Sequence, residues 1–192
     1  MAAEKAELKE RILQGTIVVF NAFGLKFTMD ELATQLGMSK KTIYTVFPDK
    51  ETMFMEMVDW CFDSIKQSER EIYEDPELDI VEKIRRILVV LPTRYQSIDF
   101  RKLQRLRVDF PQIYKKVEER IETDWEMTLA LLEQGIAIGR IRPISLPVFK
   151  LMVESTIESF LNREDLIEQD ISYVDALHEL VEVALVGIEK RN

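Results

Sequence analysis

Apolar residues recur along this chain at spacings of three and four, the pattern of helices that bury one face. Near the N-terminus they predict a first helix that ends at Gly24, a residue that tolerates the positive φ of a helix stop. Turn signals then separate two short helices from a long and strongly apolar one. These four helices are predicted over residues 8–23, 28–36, 40–47 and 50–73.

The rest of the chain keeps the same period. Pro76 follows the end of the long apolar helix, and Pro92 is expected to kink or end the next one, because proline lacks the N–H that a helix interior needs. From Pro111 to about Gly139 the apolar stripe is continuous, which predicts one long helix. The other predicted helices span 78–95, 99–110, 145–162 and 172–190. No stretch alternates convincingly with the period of a strand, so the predicted fold class is all-α.

The second and third helices carry clear end signals. Thr28 and Glu31 form a capping box, Gly37 supplies the turn, and Ser39 caps the next helix. Two short helices joined by such a turn, beside a preceding helix, are the plan of a helix-turn-helix, whose second helix enters the DNA major groove. The plan predicts DNA binding.

The third helix has two distinct faces. Ile43 and Phe47 lie four apart and are predicted to face the core. The side chains predicted to point outward are those of Lys40, Lys41, Thr42, Tyr44 and Thr45. Taken alone, such a row is also what a solvated helix face looks like.

Charge is unevenly distributed over the 192 residues. There are 26 Lys and Arg against 35 Asp and Glu, a formal net charge of -9. Residues 1–51 contain seven of each sign, so the whole excess of negative charge lies after them. This distribution argues against nonspecific coating of nucleic acid and is compatible with one local DNA-binding surface.

Other function classes are largely excluded by composition. With one cysteine, Cys61, and one histidine, His178, the chain has no set for an internal disulfide or a structural zinc site. No run of 18 apolar residues and no apolar leader is present, so we expect a cytoplasmic protein without membrane partners. No convergent nucleophile, base or metal set is visible, and we expect neither enzyme activity nor a cofactor.

The N-terminal segment resembles the TetR family of bacterial transcriptional regulators over roughly the first 55 residues. The matching motifs are FTMDELA at 27–33, LGMSK at 36–40, IY at 43–44 and FPDKE at 47–51. The resemblance implies that Thr28, Thr42, Tyr44 and Lys50 hold phosphates and that Lys40, Lys41 and Thr45 lie toward base edges. Together with Ser39, these are the predicted DNA-binding residues. Two positions depart from the family, Lys41, where a small residue is common, and Val46, which either touches a thymine methyl or packs.

A single helix-turn-helix reads few base pairs, so specificity requires a dimer with recognition helices about 34 Å apart on a palindromic operator. In the resembling family the last two helices pair with their twofold copies as a four-helix bundle. The predicted interface residues are Val148, Met152, Thr156, Ser159, Phe160, Leu177, Leu180, Val181, Ala184 and Ile188. The alternative is that both helices only close the core of one protomer.

The middle helices resemble the effector-binding region of the family. The side chains predicted to line a small-molecule site are Trp60, Tyr95, Phe100, Leu103, Leu106, Trp125, Phe149 and Met152. Plain core packing is the alternative for each. Arg94, Arg101, Arg105 and Arg107 could meet an anionic ligand or form a solvated, ion-paired face.

The sequence thus predicts an all-α chain of about nine helices in two domains. Residues 1–50 are expected to form a three-helix helix-turn-helix domain and residues 51–192 an effector-binding and dimerisation domain. The expected function is a homodimeric repressor that an unknown small molecule releases from operator DNA. The alternative is a DNA-binding regulator of the same fold controlled by a protein partner.

Overall fold

The computed structural model describes residues 2–92, 95, 98, 103, 106–162 and 165–188. A 3-10 turn at Gly24–Lys26 follows the first helix. The helices are α1 (Ala2–Phe23), α2 (Met29–Leu36), α3 (Lys40–Tyr44), α4 (Lys50–Glu74), α5 (Ile80–Val89), α6 (Leu106–Asp109), α7 (Pro111–Glu122), α8 (Glu126–Ala137), α9 (Leu146–Asn162), α10 (Asp165–Glu168) and α11 (Tyr173–Ile188). The described residues contain no strand, and the all-α fold class is confirmed. None of the helices in these ranges is long and apolar enough to span a membrane.

The chain divides into two compact units. Unit 1 comprises Met1–Trp60 and Ser97–Val117, and unit 2 comprises Cys61–Gln96 and Glu118–Asn192. The first turns of α4 fall in unit 1 because Met53 and Phe54 are 0% and 1% exposed in its core. The predicted functional boundary after residue 50 remains a prediction.

Unit 1 is built around the side chains that its amphipathic helices bury. Ile12, Leu32, Ile43 and Phe47 are fully buried, and burial of each such side chain stabilises the fold by about 1.5–3 kcal/mol. Gly15 on α1 lets α2 come close, because a Cβ at this position would lie 2.4 Å from the Leu36 side chain. This packing fixes α2, and with it the turn that carries α3.

Unit 2 has its own core, formed chiefly by α5, α8, α9 and α11. Its buried residues are Ile80, Val81, Ile84, Ile87, Leu88, Leu131, Leu132, Ile141, Phe149, Val153, Val181, Ala184, Leu185 and Ile188. Gly135 permits close contact here as well, since a Cβ would meet Ile141 at 2.7 Å. The apolar stripes read from the sequence therefore converge within this unit.

Two predicted helices are shorter in the structure. α3 ends at Tyr44, and the N–H groups of Val46 and Phe47 both donate to the Ile43 carbonyl in a closing turn. Phe47 precedes Pro48, and the residue before a proline is disfavoured in the helical region. α5 occupies Ile80–Val89 rather than 78–95 and gives way to extended backbone two residues before Pro92.

The predicted single helix over 111–139 is wrong. α7 and α8 are separated at residues 123–125, where Asp124 has a φ of 65°. Of the helix predicted over 99–110, only Leu106–Asp109 is described as helix, and residues 99–102, 104 and 105 lie outside the described residues. The last two residues of the helix predicted over 172–190 also lie outside them.

Candidate nucleic-acid interface

The start of α2 is fixed by the predicted capping box. The Thr28 hydroxyl oxygen accepts from the Glu31 N–H at 3.2 Å, and Glu31 Oε2 accepts from the Thr28 N–H at 2.6 Å. The Thr28 hydroxyl also donates to the same carboxylate at 2.9 Å. Thr28 itself is exposed at the surface. The cap therefore orders α2 and leaves this residue where a phosphate can approach it.

The turn between α2 and α3 has the conformation that glycine permits. Gly37 has a φ of 61°, and the Met38 N–H donates to the Ala33 carbonyl at 3.1 Å. Arg11 on α1 donates to the Leu36 carbonyl at 2.9 Å. The carbonyls at the end of α2, which lack helical partners, thus accept hydrogen bonds from the turn and from α1.

α3 presents polar side chains away from the core. Ser39 caps it, with its hydroxyl 3.1 Å from the Thr42 N–H and 2.8 Å from the Thr42 hydroxyl. The Thr45 hydroxyl donates to the Thr42 carbonyl at 2.6 Å. Lys41, Tyr44 and Thr45 are exposed, whereas Ile43 and Phe47 are fully buried. The two faces read from the sequence are therefore the two faces of the folded helix.

Lys40, the first residue of α3, is paired across the turn. Its ammonium lies 2.8 Å from Asp30 Oδ2 on α2, and the two side chains keep 41% and 74% of their surface exposed. The hydrogen bond to Asp30 raises the pKa of Lys40 above its usual value. This cation is therefore fully protonated at neutral pH and has an intramolecular partner, which the sequence analysis missed.

Lys50, the first residue of α4, is held by the turn that precedes α2. Its ammonium donates to the carbonyl of Leu25 at 2.6 Å and to that of Phe27, and it lies 4.2 Å from the centre of the Phe27 ring. Partial burial lowers the pKa of Lys50. Two of its three N–H groups are used inside unit 1, which leaves one for a phosphate.

Val46 is partly buried at the end of α3, next to the fully buried Phe47. This placement leaves part of the side chain accessible. The choice between a thymine contact and packing stays open.

The residues predicted to line an effector site are divided between the two units. Tyr95 is 1% exposed and its hydroxyl donates to the Ser64 hydroxyl at 3.1 Å, whereas Met152 is 45% exposed. Phe149 belongs to the core of unit 2, and Trp125 packs against that core with its indole N–H bonded to the Ile121 carbonyl. Leu106 is buried in unit 1, and Trp60 and Leu103 are partly buried there. Phe100 lies outside the described residues.

Most of the arginine cluster, which either meets an anionic ligand or forms a solvated, ion-paired face, lies outside the described residues. Arg94, Arg101 and Arg105 lie outside the described residues, and the exposed Arg107 stacks 5.7 Å from the centre of the Tyr114 ring. Cys61 is partly buried and His178 is exposed.

The predicted dimer residues fall into three groups by their burial. The first group is buried within unit 2, as the alternative that α11 closes the core of one protomer would have it. Its members are Leu177, Val181, Ala184 and Ile188. Thr156, Ser159, Phe160 and Leu180 are partly buried, and Val148 and Met152 are exposed, at 64% and 45%. The sequence analysis missed three exposed apolar residues on the same helices, Leu151, Val183 and Val186, at 63%, 65% and 57%. Their signal was that α9 and α11 are apolar on more than one side.

Comparison with known proteins places this geometry in context. Residues 12–57 match the family model described as bacterial regulatory proteins, tetR family. An uncharacterized HTH-type transcriptional regulator of Bacillus subtilis, YvaF, is 29% identical over 181 residues, which cover 94% of this chain and 95% of that protein. The nucleoid occlusion factor SlmA of Vibrio vulnificus is 28% identical, with 89% of each chain covered.

Solved structures show the same fold over almost the whole chain. A TetR transcription regulator from Haloarcula marismortui aligns with a TM-score of 0.72 at 16% identity, covering 96% of this chain and all of that one. The transcriptional regulator FadR from Bacillus subtilis, solved with stearoyl-CoA, aligns with a TM-score of 0.67 at 17% identity, covering 94% and 99%. The likeness therefore extends from the helix-turn-helix through the helices that follow it.

Proposed function

Because the chain belongs to the TetR family and is a DNA-binding transcriptional regulator, not an enzyme, we propose that it acts as a homodimeric repressor released from its operator by a small molecule. One observation carries the DNA-binding part of the proposal. The helix that follows the capped turn buries Ile43 and Phe47 and exposes a row of cationic and hydroxyl side chains within the matched segment 12–57.

The exposed residues of this region suit the two kinds of DNA contact. We assign Lys40, Lys41 and Thr45 to base edges, since a lysine donates to guanine O6 and N7 and a threonine offers a methyl and a hydroxyl. Phosphate contacts are assigned to the residues near the helix ends, which are Thr28, Ser39, Thr42, Tyr44 and Lys50. Phosphate contacts fix the position of α3, and base contacts select the sequence.

Exposed apolar residues on α9 and α11 support a dimer. Val148, Leu151, Val183 and Val186 are each more than half exposed, and α9 packs against α11 within unit 2. We propose that this surface pairs with its twofold copy and makes a four-helix bundle. Replacement of Leu151 and Val183 by glutamate is expected to give a monomer by sedimentation velocity. The matched control is Val108→Glu in unit 1, a 73% exposed residue whose replacement should leave the dimer intact.

The effector part of the proposal rests on α4 and on the fold relatives. α4 begins at Lys50, which is bonded to the turn before α2, and continues to Glu74. A ligand that binds one position of α4 better than another therefore shifts the equilibrium of DNA binding. FadR, solved with stearoyl-CoA, is a fold relative that holds a molecule with a long apolar part.

A second candidate has its own support. The SlmA relatives are named nucleoid occlusion factors, and at 28% identity they resemble this chain more in sequence than FadR does. The second candidate is a DNA-bound regulator of the same fold that is controlled by a protein partner and has no small-molecule site.

Two measurements on protein purified from cells test the proposal. Selection from a pool of random duplexes should enrich a palindrome with half-sites about one helical turn apart, and absence of enrichment would refute sequence-specific binding. Native mass spectrometry of the dimer should show a retained small molecule whose addition lowers operator affinity. A ligand-free dimer whose operator affinity does not respond to cell metabolite extracts would favour the protein-controlled candidate.

A further inference from the structure

In the ion pair between Asp30 and Lys40, a carboxylate contacts a lysine that we propose to bind DNA. The two side chains come from successive helices, so the pair spans the turn from α2 to α3. A carboxylate oxygen at 2.8 Å occupies the position that a phosphate or guanine oxygen takes when it accepts from an ammonium. In the free protein, Asp30 thus supplies an acceptor of the kind that DNA offers.

This pair has to be rearranged when Lys40 binds DNA. The ammonium has three N–H groups and can contact two acceptors, but a carboxylate beside a phosphate brings two negative charges together. Both side chains are open to solvent, so the exchange needs no unfolding. The loss of the ion pair therefore reduces the net free energy that the contact of Lys40 with DNA contributes to binding.

We propose that Asp30 is an intramolecular competitor of DNA for Lys40, so that this carboxylate restrains the affinity of the helix-turn-helix for duplex DNA. Exposed ion pairs are worth a factor of about 1.4 to 5 in equilibrium constant, which sets the size of the restraint. The inference rests on the DNA-binding role of α3 proposed above and adds a residue from α2 that does not itself bind DNA.

The neighbouring lysine provides an internal comparison. Lys41 is exposed on the same helix and carries the same charge, whereas the contact to Asp30 is made by Lys40. A competitor acts through its partner, so loss of Asp30 should matter only while Lys40 is present. A general effect of removing one negative charge would act whichever lysine is present.

The test measures binding to a fluorescein-labelled duplex of about 30 bp that carries the palindrome enriched in the selection described above, so that both half-sites are present. A dimer carries two copies of the pair, so Asp30→Asn should bind about 2- to 25-fold more tightly than wild type, the square of the factor for one pair. Between about 50 and 200 mM salt its plot of log K against log salt should be steeper than that of wild type, because each protomer then brings one negative charge fewer to the DNA. Asp30→Glu keeps the carboxylate and should stay close to wild type.

The double variants decide the mechanism. The gain from Asp30→Asn should disappear in a Lys40→Met background and persist in a Lys41→Met background. A gain of equal size in both backgrounds would mean a general charge effect and would overturn the proposal. Unchanged or weaker binding by Asp30→Asn would overturn it as well, and weaker binding would indicate that Asp30 orients Lys40 for DNA.

Folding and the DNA-binding assignment are controlled separately. Asp30 lies in the first turn of α2, where a carboxylate is favourable, so Asp30→Asn lowers stability slightly if at all. Such a loss weakens binding and cannot imitate the expected gain. If Lys40→Met alone leaves affinity unchanged, both the assignment of Lys40 and the competitor role fail. If Lys40→Met weakens binding and Asp30→Asn does not strengthen it, only the competitor role fails.

Discussion

Two junctions between consecutive helices, α2–α3 and α7–α8, are determined in different ways in this molecule. Between α2 and α3, the residues of the turn itself hold the geometry, with Gly37 at a φ of 61° and Ser39 as a cap. Between α7 and α8, the apolar stripe continues and no glycine or proline interrupts it, yet the helix breaks around Asp124. The residues of the first junction specify its turn, which Arg11 of α1 supports, whereas the second junction shows no such turn signal and is bonded by residues distant in the chain.

Lysines from two other helices of unit 2 bind the second junction. Lys66 on α4 donates to the Asp124 carbonyl, and Lys150 on α9 donates to the Glu122 carbonyl at 2.8 Å. Each lysine is also ion-paired with a buried carboxylate on its own helix, Glu69 at 2.6 Å and Glu154 at 3.2 Å. The break leaves these two backbone carbonyls without a hydrogen bond inside a helix. The two lysine ammonium groups supply the missing donors.

The largest effect is expected from removal of these lysines. Lys66→Met or Lys150→Met leaves a buried carboxylate without its cation and should lower the free energy of unfolding by about 1–3 kcal/mol. Amide hydrogen exchange at residues 123–125 should accelerate. Arg70→Met, an exposed cation on α4, is the matched control and should be close to neutral. Equal stability of all three variants would show that the local sequence breaks the helix.

A smaller effect is expected from the first junction. Gly37→Ala places a Cβ in open space, so its cost is that of the left-handed backbone alone, about 1–2 kcal/mol in chemical denaturation. Gln35→Ala, an exposed substitution two residues earlier in α2, should change stability by less than about 0.5 kcal/mol. If the two variants were equally stable, the turn would not depend on the conformational freedom of glycine.

The smallest effect is the pH dependence of the free energy of unfolding. Its sign should differ between Asp79, which caps a helix, and Glu69, which is buried by tertiary packing. The N–H of Glu82 holds the pKa of Asp79, the cap of α5, below its usual 3.8, so its stabilisation is lost as pH falls through that range. Burial raises the pKa of Glu69 above its usual 4.5, so ionisation of Glu69 lowers stability as pH rises through and above 4.5.

Denaturant unfolding at several pH values checks these signs. Asp79→Asn keeps a capping oxygen and should reduce the loss of stability in acid. Glu69→Gln should reduce the fall in stability above about pH 4.5. Similar profiles for wild type and both variants would contradict the two assignments.

The helix-turn-helix could be predicted because its signals lie within a few residues of their effects. Thr28 and Glu31 cap each other three residues apart, and Ile43 and Phe47 lie on one helix face four apart. The ion pair of Lys40 with Asp30 joins residues ten positions apart across a turn. Sequence spacing alone gave no reason to pair them.

The dimer residues show the limit of pattern reading on an apolar helix. α11 is apolar on more than one side, and Val181 and Val183 are alike in the sequence. The structure buries Val181 at 1% exposure and leaves Val183 at 65%. Which side faces the protomer core depends on how α5 and α9 pack against the helix, which periodicity does not encode.

The sequence by itself determined the helical class, the capped turn and the outward row on α3, because caps, glycine and helical periodicity act over three or four residues. Only the tertiary structure decided the break between α7 and α8, the face of α11 turned to the core, and the partners of Lys40 and Lys50. These features depend on groups that are far apart in the chain. The positions of these groups depend on how whole helices pack against one another, and this packing depends on all the side chains of the close-packed core together.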